Sequence, residues 1–234
     1  MTPNKNSRPP AKRKSNKMLF LVIGIIAIIV IAAAAYTMLG TPANQNPTAT
    51  PTPTPAPTPL PTAVPISDPE YAGGTQVLLH TSAGDIIVAL RTDKPITTTN
   101  FINIVNRGVY DQTIFHRVIA GFMIQGGQNT SANVAAINDE IGIDNHNVPY
   151  TIAMAKTSQP NSATSEFFIN VGDNSKTTYP DGSTFDGTYT VFGKVVAGQS
   201  VVDSIANAAV TSNAYGENSQ PVHPVTLLKA TVLS

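Results

Sequence analysis

The chain has 234 residues, no cysteine and no tryptophan, and a formal net charge of zero. That neutrality joins unlike parts: six basic residues and no acid fill the first 17 positions, leaving eight Lys and Arg against 14 Asp and Glu, a net of −6, in the remaining 217. A mildly acidic body argues against nucleic acid as partner, and the lack of cysteine excludes a disulfide framework and an acylated cysteine anchor.

The basic tail, residues 1–17, precedes Met18–Leu39, 22 residues without a charge and dominated by Ile, Val, Leu and Ala. That is long enough to cross a hydrocarbon core about 30 Å thick. Basic residues before it and none close behind it predict a single-pass anchor, 18–39, in the cell membrane, with the amino end cytoplasmic and the rest extracytoplasmic. The competing reading is a cleaved secretory signal using Ala33-Ala34-Ala35, which would make the protein secreted. A signal's apolar region usually runs about 7–15 residues, and this one is longer. Residues 40–73 read as a linker. Ten of the 19 prolines lie in 41–69, interleaved with threonine. Such composition favours polyproline II and a semi-stiff stalk, reaching on the order of 80 Å when extended.

Residues 74–234 suffice for one compact domain. Gln76–His80 and Asp85–Leu90 flank Thr81-Ser82-Ala83-Gly84 as a hairpin. Thr97–Arg107, with a threonine cap before it and Gly108 after it, reads as a helix. Strand-like runs follow at Tyr150–Lys156, Glu166–Val171, Tyr189–Val196 and Val225–Val232, and Ser200–Asn207 reads as a second short helix. Many strands and two helices predict a mainly β fold, a closed barrel with helical lids.

The run Phe115-His116-Arg117-Val118-Ile119-Ala120-Gly121-Phe122-Met123-Ile124-Gln125-Gly126-Gly127 carries most of the chemical information. The alternation of Arg117 and Ile119, then Met123 and Gln125, about a turn at Ala120-Gly121 predicts two paired strands. A cation on an apolar, aromatic face is costly unless it has a task. The bland alternatives are an arginine snorkelling over apolar neighbours, and Phe122, Met123 and Phe168 as ordinary core. Gly126-Gly127 reads as a backbone device.

This run resembles the signature of the cyclophilin-type peptidyl-prolyl isomerases. Two further blocks match in order: Met154-Ala155 followed by Ser165-Glu166-Phe167-Phe168-Ile169-Asn170, and Phe185-Asp186-Gly187-Thr188-Tyr189-Thr190-Val191-Phe192-Gly193-Lys194-Val195. Leu79–Ile86 and Ala155–Ala163 look like the bacterial branch. The resemblance implies an eight-stranded antiparallel closed barrel capped by two helices, with an active groove on its outer surface. It implies Arg117 as the catalytic cation, assisted by Gln125, and a groove of His116, Phe122, Met123, Ala155, Lys156, Glu166, Phe168, Phe185 and Tyr189. Proline-containing polypeptides would be the partners of a monomer, without cofactor or metal. In this reading the main chain near Lys156 pairs with the peptide, and His116 is a pocket wall rather than an acid or base.

Glu166 departs from the family's usual glutamine, and it could orient Arg117, neutralise it, or face solvent. The missing indole implies weak cyclosporin sensitivity, Tyr189 replaces a histidine of animal members, and Gln128–Asn138 is a shorter loop, poorer in glycine. Asp139, Glu140, Asp144 and His146 cluster without metal-ligand spacing. No Gly-x-Ser-x-Gly elbow supports a serine hydrolase. Two functions of different class follow: an anchored isomerase acting on exported or surface proteins, or a tethered module that binds proline peptides with little turnover.

Overall fold

The computed structural model describes residues 61–234. The expected basic tail, the membrane anchor and most of the proline-rich linker lie outside the described residues.

Eleven strands and two α-helices, preceded by a 3-10 turn at Pro69–Tyr71, make up the described fold. In chain order they are β1 (Gln76–Thr81), β2 (Gly84–Leu90), α1 (Pro95–Asn106), β3 (Thr113–Ile114), β4 (Arg117–Ile119), β5 (Met123–Gly126), β6 (Thr151–Met154), β7 (Phe167–Asn170), β8 (Val191–Ala197), α2 (Gln199–Ala206), β9 (Val210–Ser212), β10 (Asn218–Pro221) and β11 (Thr226–Leu233). Nine strands form one antiparallel sheet in the order β3-β11-β1-β2-β8-β6-β7-β5-β4, and β9 pairs with β10 separately.

The sheet is strongly curled, because its two terminal strands are consecutive in the chain. Phe115 N donates to Val225 O at one end, and His116 N donates to Gln125 O at the other. In place of the expected closed barrel of eight strands the structure has a curled sheet of nine, since β3 and β4 are two short segments where one strand bends between partners.

Alternation along the strands sends Val77, Leu79, Ile86, Val88 and Leu90 into the interior, where they meet Ile124, Ile152, Ile169 and Phe192. Phe101 of α1 enters this core with ring centroids 5.1 Å from Tyr110, 5.0 Å from Phe192 and 5.9 Å from Phe167. α2 buries Val202, Ile205 and Ala206. Both helices begin earlier than the sequence implied. Pro95 occupies the first turn of α1, Lys94 stands at its cap position, and no threonine caps it. The Glu140 carboxylate does so instead, accepting from Ile96 N at 3.1 Å and Thr97 N at 2.7 Å.

The segment before β1 lies against the domain from Val64 onward. Val64 N donates to Gln76 Oε1 at 2.9 Å, and Gln76 Nε2 returns a bond to Val64 O at 2.6 Å. Asp68 pairs with Lys194 at 3.0 Å, Glu70 pairs with Arg91, and Tyr71 is buried.

Candidate active site

The outer face of the sheet carries a second apolar cluster, Met123, Ala153, Phe168, Phe185, Tyr189 and Val191, distinct from the interior core. Pairing explains why. Arg117 lies opposite Gln125 and Ile119 opposite Met123 across β4 and β5, so all four share one face. Gln125 then neighbours Phe168 on β7, which neighbours Ala153 on β6. The tight turn between β4 and β5 has Gly121 at φ +70°. Gly172 faces this turn, and any Cβ there would overlap the Gly121 carbonyl.

A groove of about 170 Å³ opens over this face. It is lined by Arg117, Phe122, Met123, Gln125, Ala155, Lys156, Phe168, Phe185 and Tyr189, all singled out from sequence, together with Thr177, Tyr179 and Glu217, which were not. His116 and Glu166, also expected in the groove, are not part of this lining; Glu166 reaches it by its bond to Gln125. The aromatic wall is interlocked: the Phe185 ring lies 5.5 Å from Phe122, 5.7 Å from Phe168 and 4.6 Å from Tyr189. Burial pushes the phenols of Tyr179 and Tyr189 upward, so both remain neutral, with their oxygens 3.4 Å apart.

Phe122 comes from the β4–β5 turn, Phe185 and Tyr189 from the long connection between β7 and β8, and buried asparagines tie these segments together. Asn147 N donates to Asp186 Oδ1 at 2.7 Å, and Asn145 Nδ2 donates to Asp186 O at 2.6 Å and Tyr189 O at 2.8 Å. Asn170 Nδ2 donates to Asn147 Oδ1 at 3.1 Å, and Asn174 Nδ2 donates to Asn170 Oδ1 at 2.7 Å and Phe122 O at 2.9 Å. Satisfied buried amides of this kind fix loop positions that apolar contact alone leaves free. No sequence periodicity announces such a network.

Two cations line the groove: Lys156, paired with Asp139, and Arg117 at its edge. Arg117 Nε and Nη2 donate to the two oxygens of Glu217, each at 2.8 Å. Its Nη1 lies 3.5 Å from Gln125 Oε1 and 3.8 Å from Met123 Sδ, and the guanidinium carbon is 5.8 Å from the Phe122 ring centroid. Hydrogen bonds from Arg117 hold the Glu217 carboxyl below the usual range, against the opposing effect of burial, with Ser219 assisting. Glu166, the residue whose partner sequence left open, binds Gln125 Nε2 at 2.8 Å and Gln128 Nε2 at 3.2 Å.

His116 is largely buried, and neither ring nitrogen makes a well-formed hydrogen bond. Nε2 stands 3.5 Å from Glu166 Oε2. Burial lowers its pKa below the ordinary value, partly offset by Glu166 and reinforced by Arg117. Three of the four acidic and histidine residues at 139–146 are separately engaged: Asp139 with Lys156 Nζ at 2.7 Å, Glu140 with α1, and His146 with Asp186 at 3.0 Å.

A groove of aromatic rings, a thioether and one edge-on guanidinium, with no nucleophile beside a base, suits a reaction that breaks no covalent bond. Comparison with known proteins points the same way. The family described as cyclophilin type peptidyl-prolyl cis-trans isomerase/CLD matches residues 76–232. The chain is 43% identical over 163 residues to the peptidyl-prolyl cis-trans isomerase cyp18 of Streptomyces antibioticus, covering 67% of this chain and 98% of that protein. It is also 43% identical over 139 residues to peptidyl-prolyl cis-trans isomerase B of Escherichia coli, covering 57% of this chain and 85% of the relative. A crystal structure of a Cryptosporidium parvum cyclophilin type peptidyl-prolyl cis-trans isomerase, in the presence of the dipeptide Ala-Pro, superimposes with a TM-score of 0.55 at 27% identity, covering 68% of this chain and 99% of that one. The chain belongs to the cyclophilin-type peptidyl-prolyl cis-trans isomerases, and the activity of its domain is the isomerisation of X–Pro bonds.

Proposed function

We propose that the chain isomerises X–Pro bonds in exported or cell-surface polypeptides from an anchored position in the cell membrane, with Arg117 stabilising the twisted imide. The observation that carries the chemical part is the edge of Arg117 at the apolar groove, with Nη1 beside Gln125 and Met123.

The barrier to rotation about a peptide bond is amide resonance, about 18–20 kcal/mol. Twisting removes the nitrogen from conjugation and leaves a lone pair on it. A guanidinium N–H directed at that nitrogen is attracted more to the twisted form than to the planar one, which is differential binding of the transition state. Arg117 stays charged and presents a rigid fork of donors. Met123, Phe168, Phe185 and Phe122 receive the proline ring, exclude water and strengthen the interaction. Gln125 Oε1 steadies Nη1 from the side, while Glu166 fixes the amide of Gln125 in the orientation that makes this possible.

The anchored position rests on the uncharged run at 18–39 and the basic tail before it. Uncatalysed X–Pro rotation takes tens of seconds, slow enough to limit folding, and its catalysis needs no nucleotide. Cell fractionation with protease added outside intact cells tests the placement. Recovery of residues 74–234 in the membrane fraction, and their digestion without lysis, is the expected result. A soluble, protected domain refutes it. Exchange NMR on a Suc-Ala-Ala-Pro-Phe peptide with the full chain tests the chemistry, since faster cis/trans exchange has to collapse in Arg117→Ala.

A further inference from the structure

The β9–β10 hairpin stands apart from the curled sheet, packs against β4, and brings Glu217 to the groove. Its turn is built with unusual completeness. Asn213 N donates to Glu217 O at 2.8 Å, and Gly216 N donates to Asn213 O at 3.0 Å. Asn213 Oδ1 accepts from the amides of Tyr215 at 2.9 Å and Glu217 at 3.1 Å. Gly216 sits at φ +81°, a conformation that side chains disfavour. Beyond the turn, Asn213 Nδ2 donates to Ser219 Oγ at 3.2 Å, and Ser212 Oγ donates to Asn218 Oδ1 at 2.5 Å. The backbone from which the Glu217 side chain departs is thus fixed on both sides.

The side chain then meets Arg117 fork to fork. Two parallel bonds of 2.8 Å occupy the Nε and Nη2 edge of the guanidinium, at side-chain exposures of 18% for Arg117 and 22% for Glu217. A planar group clamped along one edge has its remaining edge defined. That remaining edge is Nη1, which faces Gln125, Met123 and the groove.

We infer that Glu217 is a positioning residue for the isomerisation: it grips Arg117 from behind, so that the Nη1 edge is already directed at the prolyl nitrogen when a substrate enters. The inference rests on Arg117 being the group that stabilises the twisted imide. Two effects compete. The carboxylate weakens the field that the guanidinium projects, while the clamp removes the need to order a long, flexible side chain during reaction. Placement outweighs field here, because the transition state offers one lone pair on one atom. A single directed N–H serves it better than a mobile charge.

The test uses the full chain in detergent, with kcat and KM measured on a Suc-Ala-Ala-Pro-Phe peptide for wild type, Glu217→Gln, Glu217→Asp, Arg117→Ala and the Arg117→Ala/Glu217→Gln double variant. Glu217→Gln is expected to lower kcat about tenfold, with KM within about twofold, the size of a coupling between contacting charged groups. Glu217→Asp keeps the charge but withdraws the carboxylate by one methylene. It separates placement from charge, and it too is expected to lose kcat. The Arg117 Nε–Hε resonance in a 15N-edited spectrum should shift and exchange faster in both Glu217 variants. In the Arg117→Ala background, Glu217→Gln should change nothing further. Unchanged or increased kcat in Glu217→Gln would overturn the inference, an increase meaning that the carboxylate restrains Arg117. An equal loss in the Arg117→Ala background would also overturn it, reducing Glu217 to a structural contact. Full activity of Arg117→Ala is a separate failure, that of the catalytic role of Arg117 itself.

Discussion

Gln125 is held between two partners of different kinds: its Nε2 donates to Glu166 Oε2 at 2.8 Å, and its Oε1 lies 3.5 Å from Arg117 Nη1. Glu166 therefore acts on the amide of Gln125, fixing which end faces the arginine. A glutamine at position 166 can still accept that bond through its own amide oxygen. Glu166→Gln is expected to keep kcat/KM within about threefold of wild type and to cost about 1 kcal/mol of stability, the difference between a charged and a neutral acceptor. A loss of activity comparable to that of Arg117→Ala would show that the Glu166 charge itself serves the reaction.

Replacing Arg117 separates charge from geometry. Arg117→Lys retains a cation but cannot offer two parallel donors to Glu217 while directing a third at the groove. Both Arg117→Ala and Arg117→Lys are expected to lose about 10²–10³ in kcat/KM, as when a directed transition-state donor is removed. Peptide affinity, measured by chemical-shift titration, should fall much less. A lysine variant close to wild type would mean that the site needs only a nearby positive charge.

His116 gives the domain a predictable response to acid. Its native pKa lies below 6.5, chiefly because of burial, with Glu166 opposing and Arg117 adding to the shift. Above about 6.5 the ring is neutral in both native and unfolded states and contributes no slope. Below that value the unfolded chain takes up a proton that the native site refuses, so stability falls with pH down to the native pKa. Denaturant unfolding at pH 7.5 and pH 5 should show a smaller decline in His116→Phe than in wild type. A native Hε1 titration midpoint above 6.5 would contradict the assignment. Glu166→Gln removes the one group raising this pKa by its charge, and should push the midpoint lower still.

The asparagine network makes a claim about loops rather than about chemistry. Asn147 is fully buried and bonds Asp186 and Asn170. Asn147→Ala orphans buried acceptors and donors, at an expected cost of about 1–3 kcal/mol. Because Asp186 follows Phe185 directly, KM should rise as the aromatic wall loosens, while a saturating kcat changes little. Unchanged KM alongside the lower stability would detach this network from the groove.

What could be read in advance divides along physical lines. The β4–β5 pair was legible because Arg117, Ile119, Met123 and Gln125 alternate about a glycine turn, and a period of two needs nothing from the rest of the chain. The groove aromatics were legible through blocks of family resemblance, not through their spacing. Glu217 was not, since it sits on a short polar hairpin with no apolar alternation and meets Arg117 across 100 positions. The hairpin went unpredicted, although Asn213 and Gly216 are residue types that turns favour. The start of α1 was misjudged for a related reason. Its cap is supplied by Glu140, distant in sequence, so a search for a nearby threonine could not succeed. The bend that splits one expected strand into β3 and β4 follows from the curl of the whole sheet, which no segment encodes alone.

That bend has a bearing on biosynthesis. β3 pairs with β11, through Thr113 with Leu227 and Ile114 with Thr226, and Phe115 is bonded to Val225 just before Arg117 begins β4. The strand that presents the arginine is thus moored to a stretch of polypeptide that a ribosome adds long after Arg117 itself. A nascent chain lacking Val225–Leu233 has its groove residues in hand but nowhere to fasten the segment leading into them. The groove is therefore expected to be completed only once β11 has been made, after every residue that lines it.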